Sequence, residues 1–187
     1  MAMPATQIRR GMVIVFEGQP CRVLEFRHHT PGNLRAMIQT KLKNLRNGNS
    51  FEHRFRAADT IEKASMETHE LEFMYRGGDT WHFMNTTNFD QLEMDEEMLG
   101  DNAQWMQNGM KILAEYYDGR PIGIELPQFL VLEVVDTAPV MKTATKTAST
   151  KPAKLDNDVV INVPEFVATG EKVRVNPNTG EYMDRAK

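Results

Sequence analysis

Apolar and polar residues alternate with a period of two along most of this chain, and a helical period is nearly absent. The stretch "AMIQTKLKNL" places Ala36, Ile38, Thr40 and Leu42 on one face of a strand and Gln39, Lys41 and Lys43 on the other. Asn47-Gly48 predicts a hairpin turn. "SFEHRFRA" then alternates again, with Phe51, His53 and Phe55 opposite Glu52, Arg54 and Arg56. Upstream, "GMVIVFEGQPCRVLEF" reads as two strands around a Glu-Gly-Gln-Pro turn. The polar stretch "HHTPGNLRA" (28–36) links two strands through a Pro-Gly turn.

From Ser65 onward, "LEFMYRGGDTWHFMN" predicts a hairpin across Gly77-Gly78-Asp79, and "KILAEYYDGRPIGIEL" another across Asp118-Gly119. Between them, "EMDEEMLGDNAQWMQNGM" has helical character, with Met94, Glu97 and Met98 at helical spacing. The last third holds the strand "FLVLEVVDTAPV", the loop-like "MKTATKTASTKPAKL", and two further strand runs. It ends on a turn at Asn178-Thr179-Gly180 before the final strand. The pattern predicts an all-β protein of three small β-barrel domains at residues 1–64, 65–128 and 129–187. The first is SH3-like, the second resembles an OB-fold with a short helix interposed, and the third is another short-stranded barrel.

Composition, at 41% hydrophobic and 26% charged, is that of a soluble globular chain. No run approaches the roughly 18 apolar residues of a membrane span, and "MAMPATQIRRG" has no apolar core of a secretory signal. Cys21 is the single cysteine, which excludes an internal disulfide and fits a reducing cytoplasm; in its strand it reads as a small buried hydrophobe. The net charge of −4 hides a split. Residues 1–64 carry eleven Lys/Arg against five Asp/Glu, residues 65–128 three against thirteen, and residues 129–187 eight against eight. The basic first third is a candidate footprint for a polyanion.

Catalytic chemistry finds little support. His28 and His29 are adjacent on a strand and diverge, and no Cys-x-x-Cys or His-Glu-x-x-His spacing accompanies them, so no metal site is expected. Asp95, Glu96 and Glu97 splay around a helix as a solvated face. There is no phosphate-binding Gly-x-Gly-x-x-Gly or P-loop. No catalytic residue, metal or cofactor is therefore expected. A binding role fares better. Lys41, Lys43, Arg54 and Arg56 share one strand face and suit phosphate contact, and the basic strands lack stacked aromatics, which favours structured RNA over single strands.

The stretches "RRGMVI", "PGNLRA", "FMNTTNFDQLEM", "GDNAQWM", "LEVVDTAP", "KPAKLDNDVVINVPEFVATGEKVRV" and "TGEYMDRAK" occur in that order, and on them the chain resembles the bacterial elongation factor P family from end to end. The resemblance implies a KOW/SH3-like barrel followed by two OB-folds and a tRNA-like overall shape. It implies a cytoplasmic monomer that binds the 70S ribosome and its rRNA beside the P-site peptidyl-tRNA. Its role would be to relieve stalling at consecutive prolines by holding the peptidyl-tRNA in productive geometry while the ribosome does the chemistry.

The resemblance also implies roles residue by residue. The loop tip of Pro31, Gly32, Asn33, Leu34 and Arg35 would meet the CCA end of the tRNA. The family tip usually carries a Lys or Arg that receives a β-lysyl or rhamnosyl group; Asn33 has neither an amine nor a guanidinium to modify. Asp101 and Asn102 would meet the tRNA elbow, with Trp105 in the core. Lys146, Tyr182 and Arg185 would face the small subunit and anticodon region, with mRNA in the E site as a further partner. The loop 143–150 lacks the family's glycines and Asp there, so a phosphate contact fits it better than a base contact. Asp158 stands where the family usually has Gly, with only local shape at stake. An elongation factor P-like paralogue and a non-ribosomal RNA-binding module remain as other readings; "GIELPQ" has the flavour of the paralogue, "WHFMNTTNFDQ" that of elongation factor P proper.

Overall fold

The structure, a computed structural model, describes residues 1–32, 35–140 and 149–187. Among these, sixteen strands dominate and helix is confined to segments of three to six residues. The first sheet holds β1 (Ala2–Pro4), β2 (Val13–Phe16), β3 (Gln19–His29), β4 (Met37–Asn44), β5 (Ser50–Arg56) and β6 (Thr60–Lys63), with a 3-10 turn at Ala5–Gln7. Its order is β1-β6-β2-β3-β4-β5. The period-two pattern is realised: Ile38, Thr40 and Leu42 are buried while Gln39, Lys41 and Lys43 are exposed. The inward residues Ile8, Ile14, Cys21, Val23, Ile38, Leu42 and Ile61 form one core. Thr40 is the polar member of that layer, and its hydroxyl donates to the His53 carbonyl at 2.8 Å, which spares a buried polar group. Burial, then the Glu17 carboxylate, pushes the Cys21 thiol above its usual range, as suits a hydrophobic filler.

The β2–β3 turn is tighter than its sequence suggests. Glu17 (φ 49°) and Gly18 (φ 75°) are both left-handed, and Phe16 pairs directly with Gln19. Two residues of positive φ complete such a hairpin on their own, so Gln19 and Pro20 belong to β3 rather than to the turn.

The second sheet holds β7 (Met66–Gly77), β8 (Thr80–Asn85), β9 (Gln91–Asp95), β10 (Lys111–Tyr117) and β11 (Arg120–Glu125) in the order β11-β10-β7-β8-β9. Helix α1 (Glu96–Leu99) and a 3-10 turn at Gly100–Trp105 follow β9. The helix is shorter than its spacing predicts. Met94 stays in β9, paired with Trp81, because the Asp95 carboxylate caps α1 by accepting from Met98 N at 2.8 Å.

The third sheet holds β12 (Leu130–Thr137), β13 (Thr150–Leu155), β14 (Val160–Pro164), β15 (Lys172–Asn176) and β16 (Glu181–Arg185) in the order β14-β13-β12-β15-β16. Its core is small and aliphatic, built on Leu132, Val134, Leu155, Val163, Val173 and Val175. Between β13 and β14, Asp158 takes φ 67° and its backbone N–H returns to the Leu155 carbonyl at 2.9 Å. Its carboxylate meets Lys154 at 2.9 Å. A left-handed residue here explains how Asp replaces Gly, since Asp tolerates that region better than most. Asp158→Val is expected to lower folding stability by about 1–2 kcal/mol, whereas Asp158→Gly stays within about 0.5 kcal/mol. Equal denaturation midpoints for the two variants would remove backbone conformation as the reason.

By packing, the described residues group into two compact units: Met1–His69 with Ala114–Gly123, and Glu70–Leu113 with Ile124–Lys187. Within the first, Arg22 of β3 forms an ion pair with Glu115, and Arg46 lies 5.9 Å over the Tyr117 ring.

Candidate RNA interface

The β3–β4 hairpin is the long arm of the first sheet, paired from Cys21↔Asn44 out to His29↔Met37. Near the barrel its residues alternate in burial, but His28 and His29 are consecutive and both exposed. Side chains on both faces of β3 have therefore left the core by that point. His28 packs edge-on against Phe26 at 6.1 Å, on the face opposite His29. The arm ends in the turn that contains Pro31 and Gly32. Gly32 has φ 45°, and a Cβ there would meet nothing within 4 Å, so it sits in open space. Arg35 is exposed. Asn33 and Leu34 lie outside the described residues.

Lys41, Lys43, Arg54 and Arg56 all project from one exposed face of β4 and β5. The register makes rows across β3, β4 and β5: Arg27-Gln39-Arg54, Glu25-Lys41-Glu52 and His29-Met37-Arg56. Arg27 therefore joins the basic face. Lys41 differs from its neighbours because a carboxylate stands opposite it on each side. Among the described residues none of these five cations is in an ion pair; the bridges present involve other residues. Unpaired cations at strand spacing on a rigid sheet can follow the phosphates of a folded nucleic acid.

The two other groups of candidate residues lie in the second compact unit. Asp101 is exposed and Asn102 half-buried on the 3-10 turn, while Trp105 at its end is buried. Asn157 Nδ2 donates to the Gln104 carbonyl at 3.2 Å, and a Cβ on Gly180 would lie 3.9 Å from the Trp105 ring. The turn is thus pinned between the β13–β14 and β15–β16 loops. Tyr182 on β16 is half-buried, and that burial raises its phenol pKa most strongly, with Arg185 opposing. Arg185 Nε lies 3.1 Å from Glu171 Oε2. Lys146 lies outside the described residues, as do all but the last two residues of the loop 143–150.

Family models match the chain in order: the elongation factor P KOW-like domain over residues 4–61, the elongation factor P OB domain over 66–124, and elongation factor P, C-terminal, over 130–185. Across its full 187 residues the chain is 76% identical to elongation factor P of Gemmatimonas aurantiaca, and all of that protein is covered. The chain belongs to the elongation factor P family. It is likewise 47% identical over 186 residues to elongation factor P of Acidobacterium capsulatum, with both chains wholly covered. Among solved structures, eukaryotic translation initiation factor 5A from Methanococcus jannaschii superposes with a TM-score of 0.56 at 15% identity. That match covers 67% of this chain and 94% of the other, and it shows a shared fold.

As a member of this family, the protein is a translation elongation factor built from a KOW-like domain and OB-folds. Among the described residues no three His, Cys, Asp or Glu side chains group as a metal site, and no helix is long and apolar enough to cross a membrane. Sequence reading missed Arg27, whose place on the basic face depends on the β3–β4 register. It also missed Glu171, the partner of Arg185. Alternation counted from the buried Cys21 and Val23 would turn Arg27 inward, and the bulge between Val23 and Glu25 puts it on the basic face; nothing local pairs residues 171 and 185.

Proposed function

We propose that this protein binds the 70S ribosome beside the P-site peptidyl-tRNA and promotes peptide-bond formation at consecutive prolines. The observation that carries this reading is the exposed β3–β4 arm with its unpaired basic face. The cations hold rRNA and tRNA phosphates, and the arm delivers the tip of Pro31, Gly32, Asn33, Leu34 and Arg35 to the CCA end. Asp101 and Asn102 meet the tRNA elbow. Lys146, Tyr182 and Arg185 face the small subunit, and mRNA in the E site is a further partner. The protein acts as a cytoplasmic monomer without a cofactor. Restraining the peptidyl-tRNA lowers the orientational part of the barrier that proline raises.

Asn33 has neither the amine nor the guanidinium that the β-lysyl or rhamnosyl group implied by the family resemblance would need, so the protein acts without those modifications. Its amide donates and accepts hydrogen bonds at the terminal adenosine, while Arg35 supplies the charge. A reconstituted translation system tests this with a message encoding three prolines against a proline-free control. The unmodified protein is expected to speed only the proline message. Asn33→Ala with Arg35→Ala should lose on the order of ten- to a hundred-fold of that gain. Full rescue by the double variant would show that neither side chain acts. No rescue by the wild type, with an added mass on protein from its native host, would show that a modification is required after all.

A further inference from the structure

Arg185 is held by three contacts of different kinds. One terminal nitrogen donates to the Phe166 carbonyl at 2.9 Å. The guanidinium lies 4.6 Å over the Phe166 ring. Nε is 3.1 Å from Glu171 Oε2. The first two are neutral and fix where the guanidinium sits. The third adds a full negative charge. That Glu171 oxygen is buried and accepts no aligned hydrogen bond, so its contact with Arg185 is mainly coulombic. The neighbouring Arg174 is bound differently: Nε and a terminal nitrogen both donate to the Asp184 carboxylate, in the two-pronged geometry of a committed pair. Both arginines border a shallow groove of about 800 Å³ that also includes Tyr182, and Phe166 is half exposed beside it.

We infer that Glu171 is a built-in counter-ion that cancels the charge of Arg185 until an RNA phosphate takes its place, with the Phe166 shelf keeping the guanidinium aimed throughout. This inference rests on the reading of Arg185 as an RNA contact. With Glu171 present, the site is neutral before binding, so a phosphate gained there releases no net counter-ion. Without the carboxylate, the same arginine stays on its carbonyl and ring and presents an uncancelled charge. Glu171 thereby trades affinity for selectivity: a loose polyanion does not displace it, and a phosphate positioned by the rest of the interface does.

The test is the affinity of the full-length protein for 70S ribosomes carrying P-site tRNA, measured from 50 to 200 mM salt at fixed magnesium. Glu171→Gln is expected to bind about three- to tenfold more tightly at the low-salt end, with the slope of log affinity against log salt steeper by about 0.7–0.9. Arg185→Ala should bind more weakly, and adding Glu171→Gln to it should remove the repulsion of the now unpaired carboxylate without making the slope steeper than that of the wild type. If Arg185→Ala weakens binding while Glu171→Gln leaves the slope unchanged, Glu171 is only a structural partner and the inference falls by itself. If Arg185→Ala binds as the wild type does, the RNA role of this arginine falls and the inference falls with it. Glu171→Ala repeats the measurement with no side-chain amide left to contact Arg185, and must show the same steepening.

Discussion

Replacing Lys43, Arg54 and Arg56 together by glutamine is expected to weaken ribosome binding on the order of 100-fold at about 0.1 M salt, and to flatten the salt dependence by two to three logarithmic steps per decade, about 0.7–0.9 for each phosphate no longer neutralised. The three side chains are exposed on one sheet face, and their strands β4 and β5 are held by backbone pairing and by Leu42 and Phe55 beneath. Glutamine removes the charge while leaving an unbranched polar side chain on an exposed strand face, so the folding midpoint should stay within about 0.5 kcal/mol of wild type. Lys41→Gln alone should do least, because Glu25 and Glu52 stand opposite it in register and already offset its field. A binding assay across a salt series checks both parts. A triple variant that weakens binding with an unchanged slope would mean that the face meets protein rather than phosphate.

That ranking could not be read from the sequence. Alternation in "AMIQTKLKNL" and "SFEHRFRA" was enough to place four cations on one side, because a strand's two faces are a local property. Which residues stand across from them depends on register, and register is set by turns and by the whole core. Arg27 and Glu25 come from β3, through a bulge between Val23 and Glu25 that no local signal marks, and Glu52 comes from β5. Glu17-Gly18 shows the same limit at a turn: two left-handed residues suffice, and Pro20 is drawn into the strand. The tip, elbow and small-subunit candidates were named by resemblance alone, since no period or spacing singles them out. Nothing local shows where one side chain answers another far along the chain, as Glu171 answers Arg185.

Trp105→Ala is expected to lower the stability of the second compact unit by about 3–5 kcal/mol, the usual range for removing a buried Trp or Phe ring. The ring is 3% exposed, closes the 3-10 turn Gly100–Trp105, and sits against the Gly180 turn. Its removal leaves the turn held by Asn157 on the Gln104 carbonyl and by the Asp95 cap one helix earlier. Each is a partly solvated hydrogen bond of about 0.5–1.5 kcal/mol, too little to replace the ring. Asp101→Ala and Asn102→Ala should behave in the opposite way. Both side chains stand at the surface side of the turn rather than in its core, so stability should change by less than about 0.5 kcal/mol, while ribosome affinity falls if both face the tRNA elbow. Denaturant unfolding and ribosome binding, measured on the same three variants, separate the anchor from the contacts. A Trp105→Ala protein with a wild-type midpoint would mean that the ring does not fix the turn. Asp101 and Asn102 would then depend on the Asp95 cap for their position, and Asp95→Ala would be the variant to lose binding.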